Sequence, residues 1–78
     1  MNLNEFVKAF ASEFENTSED LFTPKTIFKQ LDEWDSLTVL SIIALADEEF
    51  NVRITSQDLR DCNSIEDTYN LISSKQNV

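Results

Sequence analysis

The stretch that decides the fold runs from Asp35 to Asn51 and reads DSLTVLSIIALADEEFN. Asp35 is of a type that often caps a helix N-terminus, and Asn51 is, after glycine, the type that most readily adopts the left-handed conformation found at helix C-termini. We therefore predict a helix from Ser36 to Phe50. The residues expected to face inward are Leu37, Leu40, Ile43, Ala44 and Phe50.

Two further helices are predicted on either side of this one. Before it, apolar residues at spacings of three and four predict a helix from Leu3 to Glu15, with Asn16 as its stop signal. These apolar residues are Leu3, Phe6, Val7, Phe10 and Phe14. After it, Ser64 is expected to cap the last helix, with Asp67 in the capping-box position. The inner stripe of that helix is Ile65, Thr68, Tyr69 and Ile72.

The connections complete a small all-α bundle. Pro24 forbids a helix through residues 17–35, which we expect to form a long first loop held to the core by apolar side chains. These anchors are Leu21, Phe22, Ile27, Phe28 and Leu31. An extended link over 52–54 leads into a brief helical turn from Ser56 to Arg60. The prediction is a single domain, residues 1–78, of three main helices plus one short helix, with a fraying tail at 73–78.

The charge of the chain favours protein partners over nucleic acid or membranes. Fifteen acidic residues against six basic ones give a net charge of −9, which repels phosphate backbones and anionic lipid headgroups. Basic protein surfaces are therefore the expected partners, and we expect a monomer. The lone cysteine, Cys62, cannot form an internal disulfide, and the first residues lack a basic stretch followed by an apolar core. We therefore predict a cytoplasmic protein.

The residue types that are missing exclude most catalytic and ligand-binding devices. Without histidine the chain lacks the commonest general base and metal ligand, and one cysteine cannot build a zinc site. Without glycine it lacks the loops that cradle phosphates or dinucleotides and the sharp turn of a calcium-binding EF-hand. A domain this small also buries only about 60% of the surface of its unfolded chain, so we expect no deep pocket. We predict that the chain is not an enzyme.

A serine at the start of the second helix carries the functional prediction. Ser36 follows the acidic loop that reads LDEWD, residues 31–35, and the local pattern alone is typical of an ordinary cap or first-turn residue. Asp35-Ser36-Leu37, however, resembles the phosphopantetheine attachment motif of the acyl carrier protein family. The resemblance covers nearly the whole chain and extends to Phe28, Leu31, the run from Asp47 to Phe50, Ile54 and the stripe from Ile65 to Ile72.

This resemblance implies a function, a cofactor and a set of site residues. Ser36 would receive 4′-phosphopantetheine from coenzyme A through a magnesium-dependent phosphopantetheinyl transferase, and the arm would then carry acyl groups as thioesters in fatty-acid-like or specialised biosynthesis. Acyl-activating, condensing or acyltransferase enzymes with basic docking surfaces are the implied partners. The residues implied in partner recognition are Asp35, Leu37, Thr38, Asp47 and Glu48. Those implied to line an acyl chain are Leu40, Ile43, Ile54, Leu59 and Ile65.

Three residues depart from the family pattern and leave other functions open. Thr38 and Ser41 stand where carriers of fatty-acid synthesis commonly have acids, and Trp34 stands where a small residue is common. A specialised pathway is therefore at least as well supported as housekeeping fatty-acid synthesis. An aminoacyl or peptidyl carrier is one alternative, although such carriers more often have glycines and a histidine before the serine. An acidic helical interaction module that is never modified is the other.

Overall fold

The computed structural model describes residues 1–76 and consists of four helices joined by irregular segments. Helix α1 spans Leu3–Ser12, α2 Ser36–Phe50, α3 Ser56–Asp61 and α4 Ile65–Gln76. Two single 3₁₀ turns, Glu19–Leu21 and Phe28–Gln30, interrupt the long first loop. Within residues 1–76 there is no strand, so the predicted all-α class of three main helices and a short one is confirmed. None of the described helices is long and apolar enough to span a bilayer.

Both ends of α2 lie where the sequence predicted them. Asp35 Oδ1 accepts a hydrogen bond from the Thr38 N–H at 2.9 Å and so caps the N-terminus. At the other end, Asn51 adopts φ 53° and ψ 40°, the left-handed conformation that ends a helix. The helix therefore begins at Ser36 because Asp35 is bound into its cap, which fixes the position of the serine.

The inward face of α2 differs from the prediction. Leu37 and Leu40 are 73% and 61% exposed, and Ala44 is exposed as well, so these three predictions are wrong. Between Leu37 and Ala46 the helix is apolar on nearly every side. Apolar residues three and four apart can therefore be found along two different faces of the helix. The residues that do pack against the core are Val39, Ile42, Ile43, Leu45, Ala46 and Phe50.

Helix α1 ends earlier than predicted, at Ser12 instead of Glu15. Glu13 occupies the C-cap position. The N–H of Asn16 donates a hydrogen bond to the Glu33 side chain at 2.8 Å. Asn16 is therefore part of a loop contact and does not stop the helix. The predicted apolar stripe is confirmed, since four of its members are buried and the fifth is half-buried: Phe6, Val7, Phe10 and Phe14, with Leu3.

The first loop is held to the rest of the molecule partly by its main chain. Two of the predicted anchors, Leu21 and Ile27, are 58% and 39% exposed and so do not serve as core anchors. Instead, the carbonyls of Pro24 and Thr26 accept hydrogen bonds from the first N–H groups of α4, at 2.9 and 3.2 Å. These bonds satisfy donors that a helix N-terminus leaves free. The other predicted anchors are confirmed, with Phe22 and Phe28 buried and Leu31 half-buried.

The last helix is capped as predicted but extends further. The Ser64 hydroxyl accepts the Asp67 N–H at 3.1 Å, and Asp67 accepts the Ser64 N–H at 3.0 Å, which completes the capping box. The helix continues to Gln76, whose side-chain amide donates to the Phe50 carbonyl at 3.0 Å. The prediction of a fraying tail is therefore wrong for residues 73–76, and Asn77 and Val78 lie outside the described residues.

One apolar core joins the four helices and the first loop. Its fully buried members come from every one of these segments: Phe6, Phe10, Phe28, Ile42, Leu59, Ile65 and Ile72. Each such side chain contributes about 1.5–3 kcal/mol of burial free energy, before the entropy of ordering is counted. Because α2 contributes Ile42 to this core, its opposite side and its N-terminus remain open to solvent.

Candidate functional site

The start of α2 exposes a serine hydroxyl. Ser36 is the first residue of the helix and is open to solvent. Asp35 accepts hydrogen bonds from the N–H of Thr38 at 2.9 Å and from its hydroxyl at 3.0 Å, and the Ser36 hydroxyl takes no part in these bonds. The helix cap therefore forms without occupying the serine oxygen, which stays accessible to another protein.

The polar groups of Asp35 and Thr38 are bound within the chain. The N–H of Thr38, and then its hydroxyl, hold the pKa of Asp35 below its ordinary value. The same hydroxyl lies 2.9 Å from the Glu33 carbonyl, so its single proton is shared between that oxygen and the Asp35 carboxylate. Both residues were predicted to contact partners, and in the structure their polar atoms first shape the start of α2.

The Glu33 carboxylate joins the loop before Ser36 to the segment that follows α1. It accepts hydrogen bonds from the N–H groups of Glu15 and Asn16, at 3.2 and 2.8 Å, and from the Thr17 hydroxyl at 2.5 Å. The Thr17 hydroxyl and then these main-chain donors lower the pKa of Glu33. No local sequence pattern indicates this arrangement, because the donors lie 16 to 18 residues away.

Trp34 packs the same loop against aromatic side chains. Its ring is half-buried and lies 4.6 Å, centroid to centroid, from the Phe28 ring in an edge-to-face arrangement. The rings of Phe10 and Phe14 stack on it at 6.4 Å. Such pairs add about 0.5–1.5 kcal/mol beyond area burial. Trp34 therefore anchors the loop to α1, and most of its contact surface is turned towards the core.

An apolar stripe with an acidic end follows the outer side of α2. We call it the outer stripe and define it as Leu37, Leu40, Ala44, Asp47 and Glu48, all of which are exposed. The spacings of three and four residues put these side chains on one side of the helix, beginning beside Ser36. Between Lys29 and Arg53 the sequence has no basic residue, so no positive charge on α2 compensates the acids.

The residues predicted to line an acyl chain do not all lie together. Leu40 is exposed on the outer stripe and is therefore excluded from any lining. Ile54, Leu59 and Ile65 are buried and Ile43 is half-buried, so these four belong to the core. One of them, Leu59, borders a small cavity of about 70 Å³, together with Lys29, Trp34, Val39, Ser56 and Arg60.

A hydrogen bond joins two of the residues that border this small cavity. Lys29 Nζ donates to the Arg60 carbonyl at 2.6 Å, across the gap between the first loop and the end of α3. Pockets that hold a drug-sized ligand measure roughly 300–1,000 Å³. This cavity is therefore too small for a ligand of that size unless the side chains around it move.

The site has no catalytic base or metal ligands of its own. The chain contains no histidine, and the described residues contain no group of His, Cys, Asp or Glu side chains that could hold a metal ion. Cys62 is buried at the end of α3, where burial raises the pKa of its thiol. A buried thiol with a raised pKa is a poor nucleophile.

The residues at the start of α2 fit a covalently attached phosphodiester. A 15-residue helix carries partial positive charge at its N-terminus, which favours a phosphate there, and Ser36 offers an exposed oxygen for the ester bond. The nearby carboxylates of Asp32 and Asp35 oppose the phosphate, and at an exposed site solvent and salt screen this repulsion.

A match to a family profile agrees with this geometry. The sequence profile of the family described as phosphopantetheine attachment site matches residues 4–72, which include α2, α3, all but the first residue of α1 and most of α4. Comparison with curated proteins and with solved structures gave no match. Members of the matched family carry covalently attached 4′-phosphopantetheine. Because the match covers far more than half of the chain, the protein belongs to the family of phosphopantetheine-binding carrier domains.

Proposed function

We propose that Ser36 is the attachment residue of this carrier and that its cargo is an acyl group, held as a thioester and delivered to partner enzymes. The observation that supports the proposal most directly is the exposed Ser36 hydroxyl at the N-terminus of α2, inside the segment that matches the family. The attached arm supplies the terminal thiol on which the cargo is held. The protein itself provides the tether and the surface that partners bind.

The proton of Ser36 must be taken by the transferase. In the transfer, the Ser36 oxygen bonds to the phosphorus of the pantetheine phosphate of coenzyme A, the hydroxyl loses its proton, and 3′,5′-adenosine bisphosphate leaves. The chain has no histidine, and the Asp35 carboxylate is bound to Thr38, which makes it a weaker base than an ordinary aspartate. A magnesium-dependent phosphopantetheinyl transferase therefore supplies both the base and the metal.

The outer stripe is the proposed docking surface for partner enzymes. From Leu37 to Glu48 a helix rises about 16 Å, so a partner would place an apolar surface near its catalytic centre and basic residues roughly that far along α2. Leu37 and the methyl group of Thr38 contact the transferase in this proposal, and Asp47 and Glu48 contribute to later enzyme contacts. Leu40 joins this surface because it is 61% exposed.

The setting of the proposed carrier follows from its charge and its departures from the family pattern. A net charge of −9 favours partners with basic docking surfaces, namely acyl-activating, condensing or acyltransferase enzymes. We place the protein in the cytoplasm as a monomer. The lack of acids at Thr38 and Ser41 favours a specialised acyl pathway at least as much as fatty-acid synthesis.

Intact mass spectrometry after incubation with a broad-specificity phosphopantetheinyl transferase, coenzyme A and Mg²⁺ tests the attachment residue. We expect wild type to gain the mass of one phosphopantetheine and Ser36→Ala to gain nothing. Ser56→Ala is the matched control, because Ser56 is also an exposed first residue of a helix, capped by Thr55. An unmodified wild type, or modification that survives Ser36→Ala, would refute the proposal.

The cargo is tested on the loaded protein. Incubating the modified protein with acyl-activating enzymes and, separately, with amino-acid-activating enzymes shows which class of thioester forms on the arm. We expect acyl loading. Loading by amino-acid-activating enzymes alone would make the protein an aminoacyl carrier and leave the role of Ser36 intact.

A further inference from the structure

Glu33 connects the two segments that border Ser36. Its carboxylate accepts three hydrogen bonds from Glu15, Asn16 and Thr17, after the end of α1. Its carbonyl accepts the Thr38 hydroxyl at 2.9 Å, in the first turn of α2. One residue thus bonds to the α1 side through its side chain and to the α2 side through its main chain.

The loop before Ser36 is held by the hydrogen bonds of Glu33 and also by the packing of the neighbouring Trp34. The Trp34 ring contacts Phe10, Phe14 and Phe28 in the core. Asp35 then begins the cap of α2 by accepting from the Thr38 N–H. Three consecutive residues before Ser36 are therefore each fixed by a different contact, and of the three only Glu33 forms hydrogen bonds to the segment after α1.

Asp32 provides an internal comparison. It is exposed, and within the described part of the chain it makes no hydrogen bond, although it lies next to Glu33 and carries the same charge type. Both carboxylates lie beside the same groove, which Leu37 and Thr38 also line. Any effect of charge on a partner should therefore be shared by the two residues, whereas any effect of the hydrogen bonds should be specific to Glu33.

We propose that Glu33 is a positioning residue for the transfer reaction at Ser36: its bonds to residues 15–17 fix the loop that leads into α2 and so hold the serine oxygen in the orientation that the transferase requires. This rests on the proposed function of Ser36. A reacting oxygen that is held in place before the transition state spares the enzyme the entropy of ordering it. Loss of the bonds should therefore slow the chemical step while docking through the outer stripe continues.

Two variants separate the effect of the Glu33 hydrogen bonds from the effect of negative charge in the loop. Glu33→Asp keeps the negative charge but withdraws the carboxylate by one methylene group, about 1.5 Å, which breaks contacts of 2.5–3.2 Å. Asp32→Asn removes a charge and leaves the Glu33 bonds intact. Steady-state kinetics with the transferase, coenzyme A and Mg²⁺ then give kcat and KM for each carrier variant, and circular dichroism verifies that each is helical.

We expect Glu33→Asp to lower kcat about five- to tenfold with KM for the carrier changed less than about twofold. For Asp32→Asn we expect an unchanged kcat and at most about a twofold rise in KM. Thr17→Val removes one of the three donors and should lower kcat about two- to threefold. It also serves as the test if Glu33→Asp proves unfolded.

The outcomes that overturn this proposal differ from those that overturn the attachment residue. If wild type takes up no phosphopantetheine, both the attachment residue and the role of Glu33 are refuted. If wild type is modified, and Glu33→Asp and Thr17→Val are modified at the same rate, only the proposed role of Glu33 is refuted. Equal losses in Glu33→Asp and Asp32→Asn would show that the effect is not specific to the Glu33 hydrogen bonds, and a loss confined to KM would show that it lies in docking; either result would also overturn the proposal.

Discussion

The carboxylates of Glu33 and Asp35 lie on either side of Trp34, and both accept hydrogen bonds from within the chain. A run of acids before a modified serine invites the interpretation that all of them attract a basic partner. Here two of the three acids hold the loop and the helix start, and only Asp32 lacks an internal partner among residues 1–76. Part of the local charge therefore stabilises the loop and the start of the helix.

The bonds of Glu33 make a pH-dependent contribution to folding stability. Because the Thr17 hydroxyl and the main-chain donors lower its pKa, the folded state binds the proton of Glu33 less tightly than the unfolded state does. The contribution is complete above the ordinary value of 4.5 and is lost as the pH falls through the lower folded pKa. We expect Glu33→Gln to be less stable than wild type at neutral pH and the difference to shrink at acidic pH.

Urea unfolding of both proteins at a series of pH values measures this difference. Comparing the two proteins at each pH cancels most of the titration of the other acids, which the net charge of −9 makes substantial. A difference in the free energy of unfolding that stays constant down to about pH 3 would contradict the prediction. It would mean that the ionised form of Glu33 is not favoured in the folded state.

At the scale of elements, α2 shows which features a sequence can specify. Its ends could be predicted because they depend on close neighbours. Asp35 caps the helix by accepting the N–H of Thr38, three residues on, and Asn51 ends it through its own preference for the left-handed conformation. Its rotation could not be predicted. The apolar run leaves two faces equally plausible, and the choice between them is made by packing against α1, α3 and α4.

The rotation of α2 predicts opposite outcomes for two neighbouring apolar residues. Leu40→Ala should change the free energy of unfolding by less than about 0.5 kcal/mol, because Leu40 is 61% exposed. Ile42→Ala should cost about 2–5 kcal/mol, because Ile42 is fully buried. Urea unfolding measures both. A Leu40→Ala variant as unstable as Ile42→Ala would mean that the opposite face of α2 packs inward.

At the scale of the whole molecule, the contacts that fix the first loop are long-range. Lys25 pairs with Glu66 at 2.6 Å, 41 residues away, and the Glu33 bonds span 16 to 18 residues. Pairs of this kind leave no periodic pattern, so the sequence could not indicate them. Phe22 and Phe28 could be predicted as anchors, because apolar burial requires a core and no specific partner.

The same packing bears on the proposed acyl cargo. The core between α2 and α3 is filled by Leu59 and Ile65, and the space beside it is only about 70 Å³. Each methylene group that leaves water contributes about 0.8 kcal/mol, so a longer chain gains more from entering the core than a shorter one does. The proposed lining of Ile43, Ile54, Leu59 and Ile65 therefore predicts that chain length raises stability.

Thermal unfolding of acetyl-loaded and octanoyl-loaded protein tests this lining. We expect the octanoyl form to unfold at least about 4 °C higher, which corresponds to a net gain of roughly 1 kcal/mol after the cost of opening the core. Val39→Phe should reduce or remove the difference, because Val39 borders the small cavity and a larger ring would fill it. Leu40→Ala, on the outer side of α2, should preserve the difference. Equal unfolding temperatures for the two wild-type forms would contradict the prediction and would mean that the acyl chain stays outside the core, where only partner enzymes could shield it.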